Sequence, residues 1–350
     1  MRYSDGSARC WGSNGNAQCT VTEYTGQWYW PGFANRIACA TSLAVGSFGG
    51  IATYADGAVR VWSALPEILA PTEDPDAEPG VPTRVNGLDG AQSVTAGEEV
   101  VFAIRNDVAA WWGVFPYYPV AVATEPTPVP GLPPVKQISM GTHACAVTLE
   151  GEVWCWGRNS AGQLGDGTTV DRLEAKPVVG VQNAVQVAAG GAFTCALLSD
   201  GTVQCWGTHS RGQLGRGGEI QGTGPEDYFF PLAAPVPGLS DVVAIDAGSG
   251  IACAVRADGT LWCWSGNTAN EIDGSPSAPA IFTSPARVPN LVNVVSVQAD
   301  AGVVCALLAD AAVWCQGTLD SIGRGLDMGL TGPGPVPLDQ ANDYTKGFPE

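Results

Sequence analysis

The chain has 350 residues, and its 34 acidic and 16 basic side chains give a formal net charge of −18 at pH 7. So acidic a surface repels phosphate groups and anionic lipid, which argues against nucleic acid as a partner. With 46 glycines, 26 prolines and only 14% charged residues, the composition excludes a disordered polyelectrolyte or a helical bundle and favours short strands joined by tight turns. The sequence contains no run of 18 apolar residues and so predicts no membrane-spanning helix. The first ten residues lack the apolar core of a signal peptide.

Seven copies of one pattern follow each other along the chain. The copy at 4–19 keeps only the second half of the pattern, and the copies at 51–63 and 101–113 are degenerate. Four full copies then follow, each with two cysteines ten positions apart. The slot of the second cysteine falls, in chain order, at Cys10, Val61, Trp111, Cys155, Cys205, Cys263 and Cys315. A period of this length is typical of solenoids and propellers.

Each full copy predicts three or four short strands. In the copy at 195–205, two β-prone runs flank an Asp-Gly step, which is a strong hairpin signal, and the alternating run "NAVQVAAG" precedes them. One such unit cannot bury both faces of its sheet, but seven units arranged radially can. We therefore predict an all-β, seven-bladed β-propeller of about 50-residue repeats, one domain over residues 1–350. Tryptophans that recur with the repeat are predicted to pack between blades.

The two ends of the chain are predicted to close the ring. Residues 335–347 match the spacing of the segment that precedes the hairpin in other copies, such as 235–248. We therefore expect residues 335–350 to complete the first blade. That blade is either imperfect or truncated before Met1, and we favour the truncation because it also accounts for the unpaired Cys10 and the missing export signal.

The chain resembles the regulator of chromosome condensation repeat family, in a bacterial, cysteine-paired form. The resemblance is strongest over 135–317. The matching positions in the first full copy are Gly141, His143, Cys145, Ala146, Asn159, Gly162, Gln163, Leu164 and Gly165. It implies a seven-bladed propeller. Members of the family include a chromatin-bound guanine-nucleotide exchange factor for a small GTPase, ubiquitin-ligase modules, a plant ultraviolet-B photoreceptor and a bacterial β-lactamase inhibitory protein, so the resemblance does not select one function.

Eight of the eleven cysteines form four pairs of constant spacing. The pairs are Cys145 with Cys155, Cys195 with Cys205, Cys253 with Cys263, and Cys305 with Cys315. A hairpin turn between them places each pair on opposed strand positions, which favours disulfides over buried free thiols or a metal site, since short Cys-x2–4-Cys knuckles are absent. Disulfides indicate an oxidising location: secreted, periplasmic or cell-surface. Cys19 and Cys39 bracket an insertion and are a candidate fifth pair.

The sequence predicts no catalytic residues, no cofactor and no metal site. A Gly-rich phosphate loop, a nucleophile elbow and a histidine cluster are all missing, and the only histidines are His143 and His209. We therefore expect a non-enzymatic protein-binding or adhesion scaffold of the cell envelope or extracellular space. We expect it to be a monomer with a protein partner. The alternative, by resemblance only, is a guanine-nucleotide exchange factor.

Three aromatic-rich insertions interrupt the period, at 18–36, 114–131 and 218–234, and each is predicted to lie in the connection between one hairpin and the next blade. Aromatic side chains in polar or Pro-rich loops are enriched at recognition surfaces. Two interpretations are open, namely a partner-binding rim or a set of caps on the blade edges. The residues of the predicted rim are Trp28, Tyr29, Trp30, Phe115, Tyr117, Tyr118, Tyr228, Phe229 and Phe230.

Overall fold

All regular elements that the structure describes are β-strands, as the composition predicted. The structure is a computed structural model. It describes residues 9–10, 32–33, 40–46, 49–63, 81–97, 99–115, 121–218, 228–266, 281–300, 303–317 and 334–335. Six four-stranded antiparallel sheets follow each other along these residues, each with its strands in chain order, and we refer to them as blades 1 to 6.

The first three blades contain strands β3 to β14. Blade 1 consists of β3 (Ala40–Gly46), β4 (Gly49–Tyr54), β5 (Val59–Ser63) and β6 (Thr83–Arg84). Blade 2 consists of β7 (Ser93–Ala96), β8 (Val100–Arg105), β9 (Val108–Phe115) and β10 (Ala121–Pro128). Blade 3 consists of β11 (Val135–Met140), β12 (His143–Thr148), β13 (Val153–Gly157) and β14 (Arg172–Pro177).

The last three blades contain strands β15 to β26. Blade 4 consists of β15 (Ala184–Ala189), β16 (Phe193–Leu198), β17 (Val203–Thr208) and β18 (Phe229–Pro235). Blade 5 consists of β19 (Val242–Ala247), β20 (Ile251–Arg256), β21 (Leu261–Gly266) and β22 (Ile281–Arg287). Blade 6 consists of β23 (Val294–Asp300), β24 (Val303–Leu308), β25 (Val313–Gly317) and β26 (Gly334–Pro335).

The predicted number of seven blades is not what the described residues show. The copy at 4–19 contributes only β1 (Arg9–Cys10), which pairs with β2 (Gly32–Phe33) in a two-stranded ladder. Cys10 stands opposite Gly32, as Cys205 in β17 stands opposite Ala234 in β18, so this ladder corresponds to the third and fourth strands of a blade. The other residues of this copy lie outside the described residues. Of residues 335–350, which were predicted to complete it, Pro335 instead belongs to β26 of blade 6, and residues 336–350 lie outside the described residues.

The blades stack face to face around the first strands. The first strand of each blade packs against the first strand of the next, so these strands are the innermost ones and line the central channel. Second strands lie between neighbouring sheets and are apolar on both faces, as in β16, where only the last residue is not fully buried. Fourth strands form the outer edges and are more polar, as in β14.

Buried tryptophans fill the spaces between blades, as predicted. Four of them are completely buried, namely Trp62, Trp112, Trp206 and Trp264. In blade 2 the register differs from the predicted one, because Val101 stands opposite Trp112 and not Trp111. The cause is the turn: Asn106 and Asp107 both have positive φ (49° and 63°) and form a two-residue hairpin turn, which is tighter than the turns of the other blades.

The four predicted cysteine pairs are disulfide bonds. In each pair the two cysteines stand directly opposite each other on the second and third strands of one blade, with 4.1 Å between their Cα atoms. This is the spacing of a non-hydrogen-bonded pair in an antiparallel ladder. In blade 1 the same positions hold Ile51 and Val61, which are opposed and fully buried. Cys19 and Cys39 lie outside the described residues.

Candidate interaction surface on the loop face

The two ends of the blades carry different segments. The turns between first and second strands and the connections between third and fourth strands emerge at one end, which we call the loop face. The turns between second and third strands and the connections to the next blade emerge at the other end, the hairpin face. The predicted insertions at 114–131 and 218–234 each include the connection between the third and fourth strands of one blade, so these two belong to the loop face. They lie inside blades and not between them, which corrects the position assigned from the sequence.

The Gly-Gln-Leu-Gly turn of the repeat joins neighbouring blades on the loop face. In blade 3, the carbonyl oxygen of Gln163 accepts hydrogen bonds from Trp206 Nε1 and from the Thr194 hydroxyl of blade 4, both at 2.8 Å. In blade 4, Gln213 accepts a hydrogen bond from Trp264 of blade 5 in the same way. Gly165 has a φ of 68°, and a Cβ atom there would lie 2.7 Å from the Trp206 indole nitrogen. The motif therefore fixes the contact between blades.

Asn159 organises this turn in blade 3. Its Oδ1 accepts the N–H of Leu164 at 3.0 Å, and its Nδ2 donates to Asp166 at 3.2 Å. Asp166 forms a salt bridge with Arg172 at 2.6 Å. Burial alone would raise the pKa of Asp166, but hydrogen bonds from Thr168 and Arg172 outweigh it and lower that pKa. The result is a self-contained polar turn whose charges are paired.

Blade 4 replaces this polar set by a cationic and aromatic one. His209 takes the position of Asn159, and its Nδ1 accepts the Leu214 N–H at 3.2 Å. Arg216 takes the position of Asp166, and Phe230 that of Arg172. The Arg216 guanidinium lies 4.9 Å from the Phe230 ring centroid, and the His209 ring meets Phe230 edge-on at 6.1 Å. A salt bridge has thus become a cation–π contact.

The charges of this cluster are fixed over a wide pH range. Burial lowers the pKa of His209, and the nearby Arg216 charge lowers it further, so this imidazole is neutral at pH 7. Arg216 donates to the carbonyl of Cys205 at 2.8 Å, while its Nε has no hydrogen-bond partner among the described residues. Arg158 and Arg211 are exposed on the same face. Three of the 16 cations of the chain are therefore gathered in neighbouring turns of two blades.

The structure separates the predicted rim residues into three groups. Tyr228, Phe229 and Phe230 are half-buried at the loop face of blade 4. Phe115 is buried, with 2% of its surface exposed, because it packs against Trp111 and against Gly157 of the next blade. The prediction that Phe115 belongs to the rim is therefore wrong. The remaining members lie outside the described residues, namely Trp28, Tyr29, Trp30, Tyr117 and Tyr118.

The three arginines were not predicted from the sequence, although aligned repeats contain the signal. Arg211 stands where blade 3 has Ala161, and Arg216 stands where blade 3 has Asp166. Both changes add positive charge to a turn that otherwise keeps the repeat pattern. A cationic change in an acidic chain was the observation that could have identified this surface.

His143 belongs to the interior of the propeller. Its side chain is fully buried, its Nε2 lies 2.6 Å from the Thr194 hydroxyl, and that hydroxyl donates to the Gln163 carbonyl. Since the hydroxyl proton is used, Nε2 carries the proton of a neutral imidazole. Burial lowers the pKa of His143 to about 3. A group so enclosed positions blades and does not meet a substrate.

Two further observations concern metals and membranes. Within the described ranges, no three His, Cys, Asp or Glu side chains are grouped closely enough to hold a metal ion. A search of the same residues finds no helix of the length and apolarity that a membrane crossing requires.

Comparison with known proteins identifies the repeat. Two family models described as regulator of chromosome condensation (RCC1) repeat match the chain, one over 150–197 and 200–255 and the other over 135–163, 184–213 and 242–271. The chain is 37% identical to the ultraviolet-B receptor UVR8 of Arabidopsis thaliana over 32% of this chain and 28% of the receptor. It is 33% identical to the mitochondrial RCC1 domain-containing protein RUG3 of the same plant, over 44% of this chain and 34% of that protein. The chain thus matches about a third of the length of these relatives.

Solved structures show the same fold at low identity. Prp20p from Saccharomyces cerevisiae superposes with a TM-score of 0.81 at 18% identity, covering 96% of this chain and 87% of that chain. Human WBSCR16 superposes with a TM-score of 0.76 at 16% identity, covering 91% and 87%. At such identities the likeness concerns the fold alone.

Proposed function

We propose that this chain, which carries repeats of the regulator of chromosome condensation family, is a non-enzymatic protein-binding propeller whose partner docks on the loop face of blades 3 and 4. The observation that carries the proposal is the half-buried aromatic run Tyr228–Phe230, whose Phe230 ring packs against Arg216, on the face where Arg211 is exposed. Aromatic rings and arginine are the side chains most enriched at the centres of protein interfaces.

The electrostatics of this surface indicate the character of the partner. The chain as a whole is strongly acidic, whereas Arg158, Arg211 and Arg216 bring positive charge to one part of the loop face. A partner with carboxylates opposite these arginines is attracted locally and is oriented by the acidic remainder. The Phe230 ring supplies apolar area at low conformational cost, because it is already held by Arg216 and His209.

The disulfides support a location in an oxidising compartment. Four bridges, each within one hairpin, are expected to persist in secreted, periplasmic or cell-surface proteins and to be rare in the cytosol. A chain-entropy estimate gives each bridge about 2–3 kcal/mol of stability. A rigid, cross-linked scaffold with an aromatic and cationic surface fits an adhesion or binding role in the cell envelope or outside the cell.

The second candidate function is guanine-nucleotide exchange on a small GTPase. It rests on the fold shared with Prp20p, a protein whose structure was described together with its binding to Gsp1p and histones. Such an activity belongs to the cytosol or nucleus, where the cysteines would be reduced. Counting free thiols in the native protein by alkylation and mass measurement distinguishes the two: oxidised pairs favour the scaffold, and eight free thiols favour exchange.

The loop-face proposal is tested by reversing its charge. Arg211 is exposed and makes no side-chain contact on which folding depends among the described residues, so Arg211→Glu should fold normally. Proteins cross-linked to the wild type in the native extracellular fraction are compared with those cross-linked to Arg211→Glu. The matched control is Lys136→Glu, which reverses one positive charge in the same way at an exposed residue of the hairpin face. The proposal predicts a partner lost with Arg211→Glu and kept with the control, and it is wrong if both variants keep every partner.

A further inference from the structure

A β-bulge recurs at the start of the innermost strand in blades 3 to 6. In β15 the pairing register shifts between Ala184 and Gln186, so the residue between them has no partner. The same shift occurs in β11, β19 and β23. An unpaired bulge residue leaves the pleat and aims its side chain differently from its neighbours. The bulge residues of these four blades are Lys136, Val185, Val243 and Val295, and blade 1 has the same bulge at Thr41 of β3.

The three bulge valines are exposed on the hairpin face at the mouth of the central channel. Val185, Val243 and Val295 expose 44%, 56% and 51% of their surface, although they lie on the innermost strands. Neighbouring first strands are joined beside the bulge, since Gln186 Nε2 donates to the Ile245 carbonyl at 2.8 Å and its Oε1 accepts the Ile245 N–H at 3.0 Å. The valines therefore form an arc over three consecutive blades.

Other apolar side chains are also exposed on the hairpin face. Among the described residues, eleven large hydrophobic side chains are exposed, and most of them lie on this face. Those on the hairpin face are Val108, Leu149, Val179, Val185, Val243, Val292 and Val295. Exposed apolar side chains scattered singly need no explanation, but a concentration at one end of a fold marks an interaction surface.

Acidic side chains surround the valine arc. The turn between second and third strands carries an exposed carboxylate in each of blades 3 to 6, namely Glu150, Asp200, Asp258 and Asp310. In Asp200 and Asp258 one oxygen accepts the hydrogen bonds of the following threonine, which lowers the pKa and keeps the group charged. Three cations also lie on this face: Arg256, which is bound to Asp241 at 3.3 Å, Arg287, whose charge acts on Asp258, and Lys136 in the bulge of blade 3. The charge of this rim repels a second copy of the chain and attracts a cationic partner.

We propose that the hairpin-face mouth of the channel binds an extended cationic peptide segment in which apolar side chains alternate with lysine or arginine. The apolar side chains cover Val185, Val243 and Val295, and the cations face the carboxylates of the surrounding turns. An extended segment presents alternate side chains on opposite faces, so the apolar set meets the arc. The long lysine and arginine side chains of the other face bend back over the segment edge to reach the carboxylates of the rim. This site lies on the face opposite the loop-face surface and is independent of it.

The experiment measures binding of short fluorescein-labelled peptides by fluorescence anisotropy. The probe peptide alternates lysine with leucine, and two controls alternate lysine with serine and glutamate with leucine. We expect the first to bind at least about tenfold more tightly than either control, which corresponds to about 1.4 kcal/mol. Equal binding of the lysine-serine and lysine-leucine peptides would show attraction by charge alone and would overturn the proposal.

The site is located by a substitution that the chain already uses. Lys136 occupies the bulge in blade 3, so Val243→Lys introduces a residue that this position accepts in a neighbouring blade. It should weaken the lysine-leucine peptide by about tenfold while leaving the melting temperature unchanged. Val170→Lys, at an equally exposed valine on the loop face, is the matched control and should bind like the wild type. If both variants bind equally well, the site is not at the channel mouth. Arg211→Glu should leave this binding intact, which separates the result from that for the loop-face surface.

Discussion

Protonation of His143 should make the propeller less stable in mild acid, and His143→Gln should remove this effect. The buried imidazole has a pKa of about 3 in the folded chain against 6.5 as its ordinary value. A lowered pKa means that the folded state binds fewer protons than the unfolded state. Stability is therefore complete above pH 6.5 and falls as the pH decreases through 6.5 toward 3.

The size of the effect follows from the two pKa values. At about pH 5 the unfolded histidine is protonated and the folded one is not, and the difference of about 1.5 pH units costs about 2 kcal/mol of unfolding free energy. Glutamine does not titrate, and its amide can still donate to the Thr194 hydroxyl, so His143→Gln should lose only about 1 kcal/mol at pH 7. The deficit of the variant should disappear or reverse at about pH 5.

The assay is urea denaturation of wild type and variant at both pH values, followed by tryptophan fluorescence. Other titratable groups, such as Asp246, respond to pH alike in both proteins. The difference between their unfolding free energies therefore reports on His143 alone. A constant difference between the two proteins from pH 7 to pH 5 would refute the assignment of His143 as a neutral, enclosed group. A larger loss of unfolding free energy in the variant at pH 5 than at pH 7 would refute it too.

Three more predictions concern the channel, the bridges and the packing between blades. Burial, together with the charge of Asp300, raises the pKa of Asp246 to about 6. The ionised carboxylate therefore destabilises the folded chain above that pH, so Asp246→Asn should raise the melting temperature at about pH 8 and not at about pH 4. Cys195→Ile combined with Cys205→Val copies the opposed apolar pair of blade 1, and the double variant should fold but lose about 2–3 kcal/mol in denaturant titration. Trp206→Phe leaves a buried carbonyl with one donor fewer and should cost about 1–3 kcal/mol by the same measurement, whereas an unchanged midpoint would show that the indole hydrogen bond does not join the blades.

The functional site was only partly accessible to sequence reasoning. The aromatic run at 228–230 was identified because it breaks the repeat, but Phe115 carries the same signal and is buried. Whether an aromatic ring at the end of a strand is exposed depends on the neighbouring blade, and in this case on the space above Gly157. The sequence did not indicate the arginines of the loop face, because a single substitution in a turn does not show which residues lie beside it in the folded chain.

The sequence by itself determined what depends on local chemistry. A ten-residue spacing of cysteines about a turn of one acidic and one small residue predicts opposed strand positions, and the four bridges follow, because a hairpin ladder is closed by residues adjacent in the chain. The tertiary structure decided what depends on pairing between distant segments: the register that places Trp112 opposite Val101, and the bulges that expose Val185, Val243 and Val295. A bulge depends on the partner strand, and the burial of a side chain depends on the next blade. The residue spacing within one repeat therefore predicts neither of them.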